Sequence, residues 1–278
     1  MIHALSFDLE EWYHSDLLIP LVKPEERVSQ VRQAMRPILD LLQRTGVRAT
    51  FFTVGEVARD HPDLIQELVA GGHEIACHTM THPDLWRLTE ASLAEEIEQY
   101  RKAIQQAVPG QEVLGFRAPR FSLDQRTHWV LGVLRDAGYR YDSSVFPFRM
   151  PWYGIGRAPL AMYRASLQDP SIVDDEAGFL EFPVAVSSVG PVRIPAAGGV
   201  YLRLIPYPLF RALLRRVAKK RPFVIYVHPW ETYPDTPSYP LPFVERFGLS
   251  VNIRHTLNRL ERLIADFSFA PVREVLDV

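Results

Sequence analysis

The first half of the chain alternates short apolar runs with segments of helical periodicity. Apolar runs occur at residues 5–7, 49–54 and 73–77, and the segments after the first two have apolar residues every three to four positions. Gly46 ends the first of these segments, and the pair at 71–72 ends the second. Short strands that alternate with helices are typical of βα units, so the pattern predicts a largely parallel sheet.

The same periodicity predicts the remaining elements. We expect helices over residues 28–44, 62–70, 89–108, 125–137, 207–220 and 253–267, and later strands at 115–120, 139–144 and 222–229. Several polar motifs fall directly after these strands. In α/β folds the carboxyl edge of the sheet is where active sites gather, so these motifs are candidates for function.

Residues 146–201 have a different pattern, rich in Pro, Gly and aromatic residues with short strand-like pieces. We interpret this segment as an irregular loop and hairpin insertion that lines or covers the site. The length of 278 residues suits one α/β domain, so we predict a single domain over 1–278, with 231–278 as an extension that contains the last helix.

Composition narrows the classes of partner. A hydrophobic fraction of 47% and a charged fraction of 23% are those of a soluble globular protein, and the formal net charge of -2 disfavours a nucleic-acid partner. The single cysteine excludes an intrachain disulfide and a cysteine-based zinc cluster. The chain has no run of 18 apolar residues and no leader pattern at its start, so we expect no membrane span and a cytoplasmic location.

His78 and His82 are four residues apart in the motif HTMTH. On a helical turn both imidazoles would project from one face and bind one ion. With a carboxylate they would form a two-histidine, one-carboxylate set with open positions, as a catalytic metal requires. The alternative is a pair of surface histidines.

The motif FDLEE offers the carboxylate. Asp8 and Glu10 share a face of an extended strand, while Leu9 points to the other side, and past the strand end either Glu10 or Glu11 can turn toward the ion. Two carboxylates allow one to bind metal and the other to take a proton from water. The alternative is an acidic helix start with Trp12 in the core.

Two further motifs, RAPRF and YVHPW, contain Arg117 and His228. A buried arginine requires an anionic partner, and Asp8 is the obvious candidate. His228 ends a hydrophobic strand. If it faces the metal it can donate a proton to a leaving amine, with Asp142 or another acid holding its other nitrogen.

The ordered motifs FDLEE, HTMTH, RAPRF, YDSS and VIYVHP resemble those of the polysaccharide deacetylases, the NodB-like carbohydrate esterase family four. The resemblance spans residues 2–230 and implies an α/β fold, the distorted (β/α) barrel of that family. The Asp-x-Glu first motif and the stretch His-Pro-Trp-Glu are most similar to the exopolysaccharide-associated branch that accompanies exosortase systems in bacteria.

The resemblance also implies roles for individual residues. Asp8 would be the general base, Arg117 would orient it, His228 would be the general acid, and His78 and His82 would bind the metal. Asp142 stands in the fourth motif as a further catalytic residue, and the residues we assign to substrate binding are Pro119, Phe121, Trp230 and Glu231. The family has two adjacent aspartates where this chain has Leu9 after Asp8, so we take Glu10 as the carboxylate ligand, with Glu11 open.

The resulting hypothesis is a metal-dependent N-deacetylase that acts on N-acetylhexosamine residues of a bacterial exopolysaccharide or its precursor. The expected cofactor is a divalent ion, Zn2+ or alternatively Co2+ or Ni2+, and the expected partner is an N-acetylated glycan. Two alternatives remain. One is a hydrolase of small amides on the same fold, and the other is a catalytically silent glycan-binding component of a polysaccharide-synthesis system.

Overall fold

A curled sheet of mostly parallel strands forms the centre of the fold in the computed structural model, which describes residues 1–15, 17–237 and 239–278. The strands are β1 (His3–Leu9), β2 (Thr50–Thr53), β3 (Glu74–Cys77), β4 (Gly115–Phe116), β5 (Tyr141–Asp142), β6 (Tyr163–Ala165), β7 (Phe179–Glu181), β8 (Val186–Val189), β9 (Val192–Pro195), β10 (Val224–Val227) and β11 (Phe269–Ala270).

The strand order in the main sheet is β10, β1, β2, β3, β4, β5, β7, β6, and β11 pairs with the start of β1. All pairs are parallel except β6 with β7. An isolated parallel bridge between Val184 and Val224 connects the chain after β7 to β10. The sheet therefore curls back toward its first strand, and the predicted α/β fold of the distorted-barrel type is confirmed.

The helices are α1 (Val31–Thr45), α2 (Gly55–Asp60), α3 (Pro62–Ala70), α4 (Glu90–Ala107), α5 (Val130–Asp136), α6 (Gly199–Leu204), α7 (Tyr207–Ala218), α8 (Phe243–Ser250), α9 (Ile253–Asp266) and α10 (Val272–Leu276). Local sequence explains two of their ends. Gly46 stops α1 in the left-handed conformation at φ 68°, which glycine adopts without strain. Thr89 is the N-cap residue of α4, and its hydroxyl accepts the backbone N–H of Ser92.

The core fixes the strand that bears the first motif. Every residue of β1 is buried, and Phe7 stacks on Phe51 of β2 with ring centroids 5.1 Å apart. Burial of each such aromatic side chain contributes about 1.5–3 kcal/mol. Because β1 pairs with β2 and β10 along most of its length, Asp8 stands on a rigid element.

The expectation of an irregular insertion over 146–201 is wrong for part of that segment. β7 pairs with β5 and β6 pairs with β7, so both extend the main sheet, while β8 and β9 form a separate hairpin. These strands have three or four residues, too few for alternation to stand out among the prolines and glycines. The helix expected from residue 125 starts only at Val130.

No helix in residues 1–15, 17–237 or 239–278 combines the length and the apolar character that crossing a bilayer requires.

Candidate active site

The candidate residues meet because each follows a strand. Glu10, His78, Arg117, Ser143 and His228 come directly after the last residues of β1, β3, β4, β5 and β10. These strands run parallel, so their carboxyl ends lie at one edge of the sheet. The expectation that the motifs would gather at this edge is confirmed.

Glu10, His78 and His82 form a buried group with the geometry of a metal site. Each offers one ligand atom, and these atoms lie within 4.8 Å of one another. Nε2 of His82 is 2.8 Å from Oε2 of Glu10. The helical turn expected for the two histidines is wrong. The segment is an irregular loop in which Thr79 and His82 adopt positive φ values of 63° and 62°, and this backbone turns both rings inward.

His78 has a defined tautomer. Its Nδ1 lies 2.7 Å from the carbonyl oxygen of Arg117, so Nδ1 bears the proton and donates to that carbonyl. The lone pair of Nε2 is then available to a metal ion, the usual arrangement at such sites. Burial lowers the pKa of His78 to about 4, which keeps the ring neutral at pH 7.

Glu10 and Glu11 point in different directions. Oε1 of Glu10 accepts the indole N–H of Trp230 at 3.1 Å. Burial would raise the pKa of Glu10, but His82 and His228 lower it below its usual value. Glu11 instead accepts the backbone N–H of Gln30 at 2.9 Å and the hydroxyl of Ser29. Only Glu10 therefore lies beside the two histidines.

The donor set fits a divalent transition metal. One carboxylate and two imidazoles suit Zn2+ and similar ions and leave coordination positions open. Within the part of the chain that the structure describes, the buried Nδ1 of His82 has no hydrogen-bond partner. A buried nitrogen without a hydrogen-bond partner destabilises the folded state, and a bound ligand or water would remove this cost in free energy.

Arg117 connects the base candidate to the metal group. Its guanidinium is fully buried and donates from Nη1 to Oδ1 of Asp8 at 2.5 Å, as expected. It also donates to the carbonyl and hydroxyl oxygens of Ser143 at 3.0 Å each. The guanidinium lies over the ring of Phe52 at 3.9 Å. Arg117 thus holds Asp8 with its side chain and His78 with its carbonyl.

His228 faces two of the three carboxylates of the first motif, those of Asp8 and Glu10. Its Nε2 is 3.9 Å from Oδ2 of Asp8 and 3.7 Å from Oε1 of Glu10. Burial would lower the pKa of His228, but Glu10, Glu231 and Asp8 raise it to about 9. The imidazole is therefore protonated at neutral pH in the absence of a metal ion.

The acid that holds the other nitrogen of His228 is Glu231. Its Oε2 lies 2.9 Å from Nδ1, and its Oε1 accepts two N–H groups of Arg203, at 2.8 and 3.3 Å. Arg203 and His228 lower the pKa of Glu231 to about 2 against the effect of burial. Gly199 makes room for this carboxylate, since a Cβ at that position would overlap it. Sequence reasoning missed Arg203, which stands in a short apolar helix and has no motif around it.

Asp142 lies in a different cluster. Its carboxyl accepts the hydroxyl of Ser144, and Ser144 in turn accepts the backbone N–H of Ala118 at 2.7 Å. The carboxyl of Glu181 is its buried neighbour, and burial raises the pKa of both groups, that of Asp142 to about 6. The expectation that Asp142 contacts His228 is thus wrong, because β5 places its side chain against β7, and the alternative, another acid, holds.

A cavity of about 280 Å3 opens at this edge of the sheet. Asp8, Glu10, His82 and His228 line it. The expected substrate-binding residues Phe121, Trp230 and Glu231 also line it. Pro119 is buried and is not among the described residues that line the cavity. His14 is among the lining residues that sequence reasoning missed, and its ring stacks on that of His82 at 5.5 Å. His14 belongs to none of the sequence motifs, so its position relative to Asp8 did not indicate a function.

Two family models match the chain. The polysaccharide deacetylase model matches residues 26–141, which include His78, His82 and Arg117. The model of a domain of unknown function, DUF3473, matches residues 143–277, which include His228. Residues 26–141 belong to the polysaccharide deacetylase family. The motif resemblance over 2–230 is wider than the first match, because Asp8 and Glu10 precede both matched segments.

Curated relatives share one segment with this chain. The chitooligosaccharide deacetylase of Sinorhizobium fredii is 44% identical over 82 residues, which are 30% of this chain and 38% of that protein. The corresponding protein of a Bradyrhizobium strain is 44% identical over 82 residues, again 30% of this chain and 37% of the relative. The chain therefore spans little more than a third of the length of these relatives.

Solved structures share the whole fold. The allantoinase Puue superposes with a TM-score of 0.61 at 16% identity, over 99% of this chain and 89% of that one. A candidate polysaccharide deacetylase of Mycobacterium smegmatis superposes with a TM-score of 0.60 at 17% identity, over 99% of this chain and 90% of that one. At these identities the likeness shows the fold alone.

Proposed function

We propose that the protein is a metal-dependent N-deacetylase, which hydrolyses the acetamido group of N-acetylhexosamine residues in a bacterial exopolysaccharide or its precursor. One observation supports this most strongly. The carboxylate of Asp8 and the imidazole of His228, which is paired with Glu231, line one cavity and lie within a few ångströms of the group of Glu10, His78 and His82. Hydrolysis of an amide needs a base, an acid and an electrophile in this arrangement.

Glu10, His78 and His82 are the residues that would hold the metal. A bound divalent ion supplies a Lewis acid for the acyl oxygen and lowers the pKa of water from about 16 to about 7. His78 is ready for this role because Arg117 fixes its tautomer. Trp230 orients Glu10 through the indole N–H. The proposed ion is Zn2+, with Co2+ or Ni2+ as alternatives.

Asp8 is the general base in this mechanism. Arg117 occupies Oδ1, so Oδ2 is the oxygen free to take a proton from the attacking water. Oδ2 is also the oxygen that faces His228. The buried ion pair with Arg117 holds the carboxylate in one orientation, so the base is already positioned for proton transfer.

His228 is the general acid. The amine that leaves from the tetrahedral intermediate must be protonated, and Nε2 of His228 points to the side of the cavity where Asp8 lies. Glu231 accepts from Nδ1 and so leaves the second proton on Nε2. Water adds to the acyl carbon, the C–N bond breaks, and the products are acetate and the free amino sugar.

The substrate class rests on the family and its relatives, which are named chitooligosaccharide deacetylases. The exopolysaccharide assignment rests on the first and last motifs, Asp8-Leu9-Glu10 and His228 to Glu231. We take 1–278 as one domain, because the site needs Asp8 and Glu10 from the start of the chain, His78 from the first matched segment and His228 from the second.

The test is acetate release from chitooligosaccharides and from a bacterial exopolysaccharide, before and after chelation. We expect chelation to abolish release and Zn2+, Co2+ or Ni2+ to restore it. Full activity in demonstrably metal-free protein would overturn the mechanism. Hydrolysis of allantoin or formamide, with no acetate released from any glycan, would instead support a small-amide hydrolase, the alternative to which the allantoinase fold is relevant.

Asp8→Asn separates an enzyme from a silent binder. The carboxamide cannot accept the water proton, so we expect turnover to fall about 10²–10⁴-fold while glycan affinity remains. Arg140→Ala, an exposed change on the chain before β5, is the matched control and should leave both unchanged. If wild-type protein binds glycan and releases no acetate with any of these metals, the silent-binder alternative holds.

A further inference from the structure

A second cavity lies beside the candidate active site. It has a volume of about 600 Å3 and is lined by residues 124–126 and 149–157. Tyr153 lines both this cavity and the one that contains Asp8 and His228. The size is that of ordinary ligand sites. A glycan bound across Tyr153 would therefore have one sugar at the reactive groups and another in the second cavity.

The loop at this cavity presents an aromatic side chain to solvent. The backbone N–H of Met150 donates to the carbonyl of Tyr153 at 2.9 Å, which closes a tight turn with Trp152 at its outer end. Gly154 continues the loop at φ 91°, where a Cβ would also overlap the carbonyl oxygen of Phe148. Trp152 is 71% exposed. A large flat ring left exposed beside a cavity is suited to cover the apolar face of a sugar.

The lining of the second cavity is positively charged. It contains Arg126, Arg149 and Arg157 but only one carboxylate, that of Asp124, which gives a formal charge of +2. Arg126 pairs with Asp124, and Arg157 pairs with Asp169 outside the lining. Arg149 forms no ion pair with any residue that the structure describes, and it is exposed. Its guanidinium is thus available to a planar anion such as a carboxylate or a phosphate.

We propose that the second cavity is a subsite for an anionic sugar, a uronate or a phosphorylated sugar, in the same glycan whose acetamido group reaches Asp8 and His228. The sugar ring packs on Trp152, and its anionic group pairs with Arg149. A neutral glycan makes only the first of these contacts. This inference rests on the proposed deacetylase function and adds a charge preference to its substrate.

The test compares three ligands on the metal-loaded protein. Hyaluronan tetrasaccharide supplies carboxylates, N-acetylglucosamine 1-phosphate supplies a phosphate, and fully N-acetylated chitotetraose, called chitotetraose below, is neutral. Calorimetric titration measures binding, and a separate assay measures acetate release. We expect hyaluronan tetrasaccharide to bind about tenfold more tightly than chitotetraose at low salt, and the difference to shrink as salt is added. If N-acetylglucosamine 1-phosphate binds more tightly than hyaluronan tetrasaccharide, the subsite is assigned to phosphorylated sugars.

Arg149→Ala and Trp152→Ala test the two contacts separately. Arg149→Ala should remove most of the preference for the anionic ligands, while Trp152→Ala should weaken binding of both tetrasaccharides. Arg140→Ala removes an exposed arginine from the loop before β5. It should change neither the preference for anionic ligands nor the affinity for the tetrasaccharides. Equal affinity of wild-type protein for the neutral and acidic tetrasaccharides, or an Arg149→Ala variant that behaves as Arg140→Ala does, would overturn the proposal.

The two proposals fail in different ways. Acetate release from chitotetraose without any charge preference would refute the subsite and keep the deacetylase. Binding of acidic ligands that depends on Arg149, with no acetate release from any glycan, would keep the subsite and refute the deacetylase.

Discussion

Glu231 holds the ring of His228 from two directions. Its Oε2 accepts the backbone N–H of His228 at 3.0 Å and lies 2.9 Å from Nδ1 of the same residue. Its Oε1 is bound by the buried guanidinium of Arg203. A carboxylate with so many donors stays ionised and fixes both the orientation and the charge of the imidazole. Because Arg203 belongs to α6, this segment outside the motifs takes part in positioning the proposed acid.

Glu231→Gln should lower kcat at least tenfold with a smaller effect on KM, because the amide keeps the size of the side chain but loses its charge. The protonated imidazole is then less stable, so the pKa of His228 falls. The alkaline limb of the kcat profile should move to lower pH, since the acid form is lost earlier as pH rises. Steady-state kinetics from pH 6 to 10 measure this. A variant with a reduced rate but an unshifted limb would show a merely structural role.

Glu10→Gln and Glu11→Gln form a matched pair for the metal site. Glu10 lies beside His82, whereas Glu11 binds Ser29 and the backbone of Gln30. We expect Glu10→Gln to lower metal content and activity at least about 10²-fold. Glu11→Gln should retain metal and cost about 1 kcal/mol of unfolding free energy. Metal analysis of the dialysed proteins and urea unfolding measure the two effects. Metal loss in Glu11→Gln alone would contradict the assignment.

Asp142→Asn tests whether this carboxyl acts in catalysis. Asp142 and Glu181 are buried neighbours whose pKa values are raised, and Asp142 makes its hydrogen bond to Ser144. The amide preserves the shape of the pair and removes the repulsion between two acids. We expect kcat within about threefold of wild type and equal or greater stability at pH 8. A loss of about 10²-fold in kcat from a folded, metal-loaded variant would return Asp142 to the catalytic set.

His73 makes stability depend on pH. Its Nδ1 accepts the backbone N–H of Ala49 at 3.2 Å, and burial lowers its pKa from 6.5 to about 4. Between these values the unfolded chain binds a proton that the folded protein excludes. The free energy of unfolding should therefore fall as pH decreases from about 6.5 to about 4, by up to about 3 kcal/mol for this residue.

His73→Asn is the comparison for this effect, because Asn can accept the same hydrogen bond and does not titrate. Urea unfolding at pH 7.5, 6 and 5 should show a shallower decline for the variant than for wild type. Metal release at low pH affects both proteins alike, so the difference between their slopes isolates His73. If the free energy of unfolding declines equally with pH in both proteins, protonation of His73 does not destabilise the folded state.

The proposed substrate contacts show where sequence reasoning was incomplete. Trp230 and Glu231 were assigned to substrate binding from their motif, and both line the cavity. Their polar atoms, however, bind Glu10 and His228. A motif identifies residues that lie near a site. It does not say which neighbour each one contacts, because that depends on the approach of another segment.

The sequence by itself determined the strand that bears Asp8, the strand ends that bear His78, Arg117 and His228, and thus the edge where they meet. These follow from local rules, because alternation sets the face of each strand residue and parallel strands share their carboxyl edge. Only the tertiary structure showed that Glu10 rather than Glu11 lies beside the histidines, and that the acid beside Nδ1 of His228 is Glu231 rather than Asp142. Beyond the end of a strand alternation no longer applies. There the direction of a side chain is set by partners distant in sequence, such as Gln30 for Glu11 and Arg203 for Glu231.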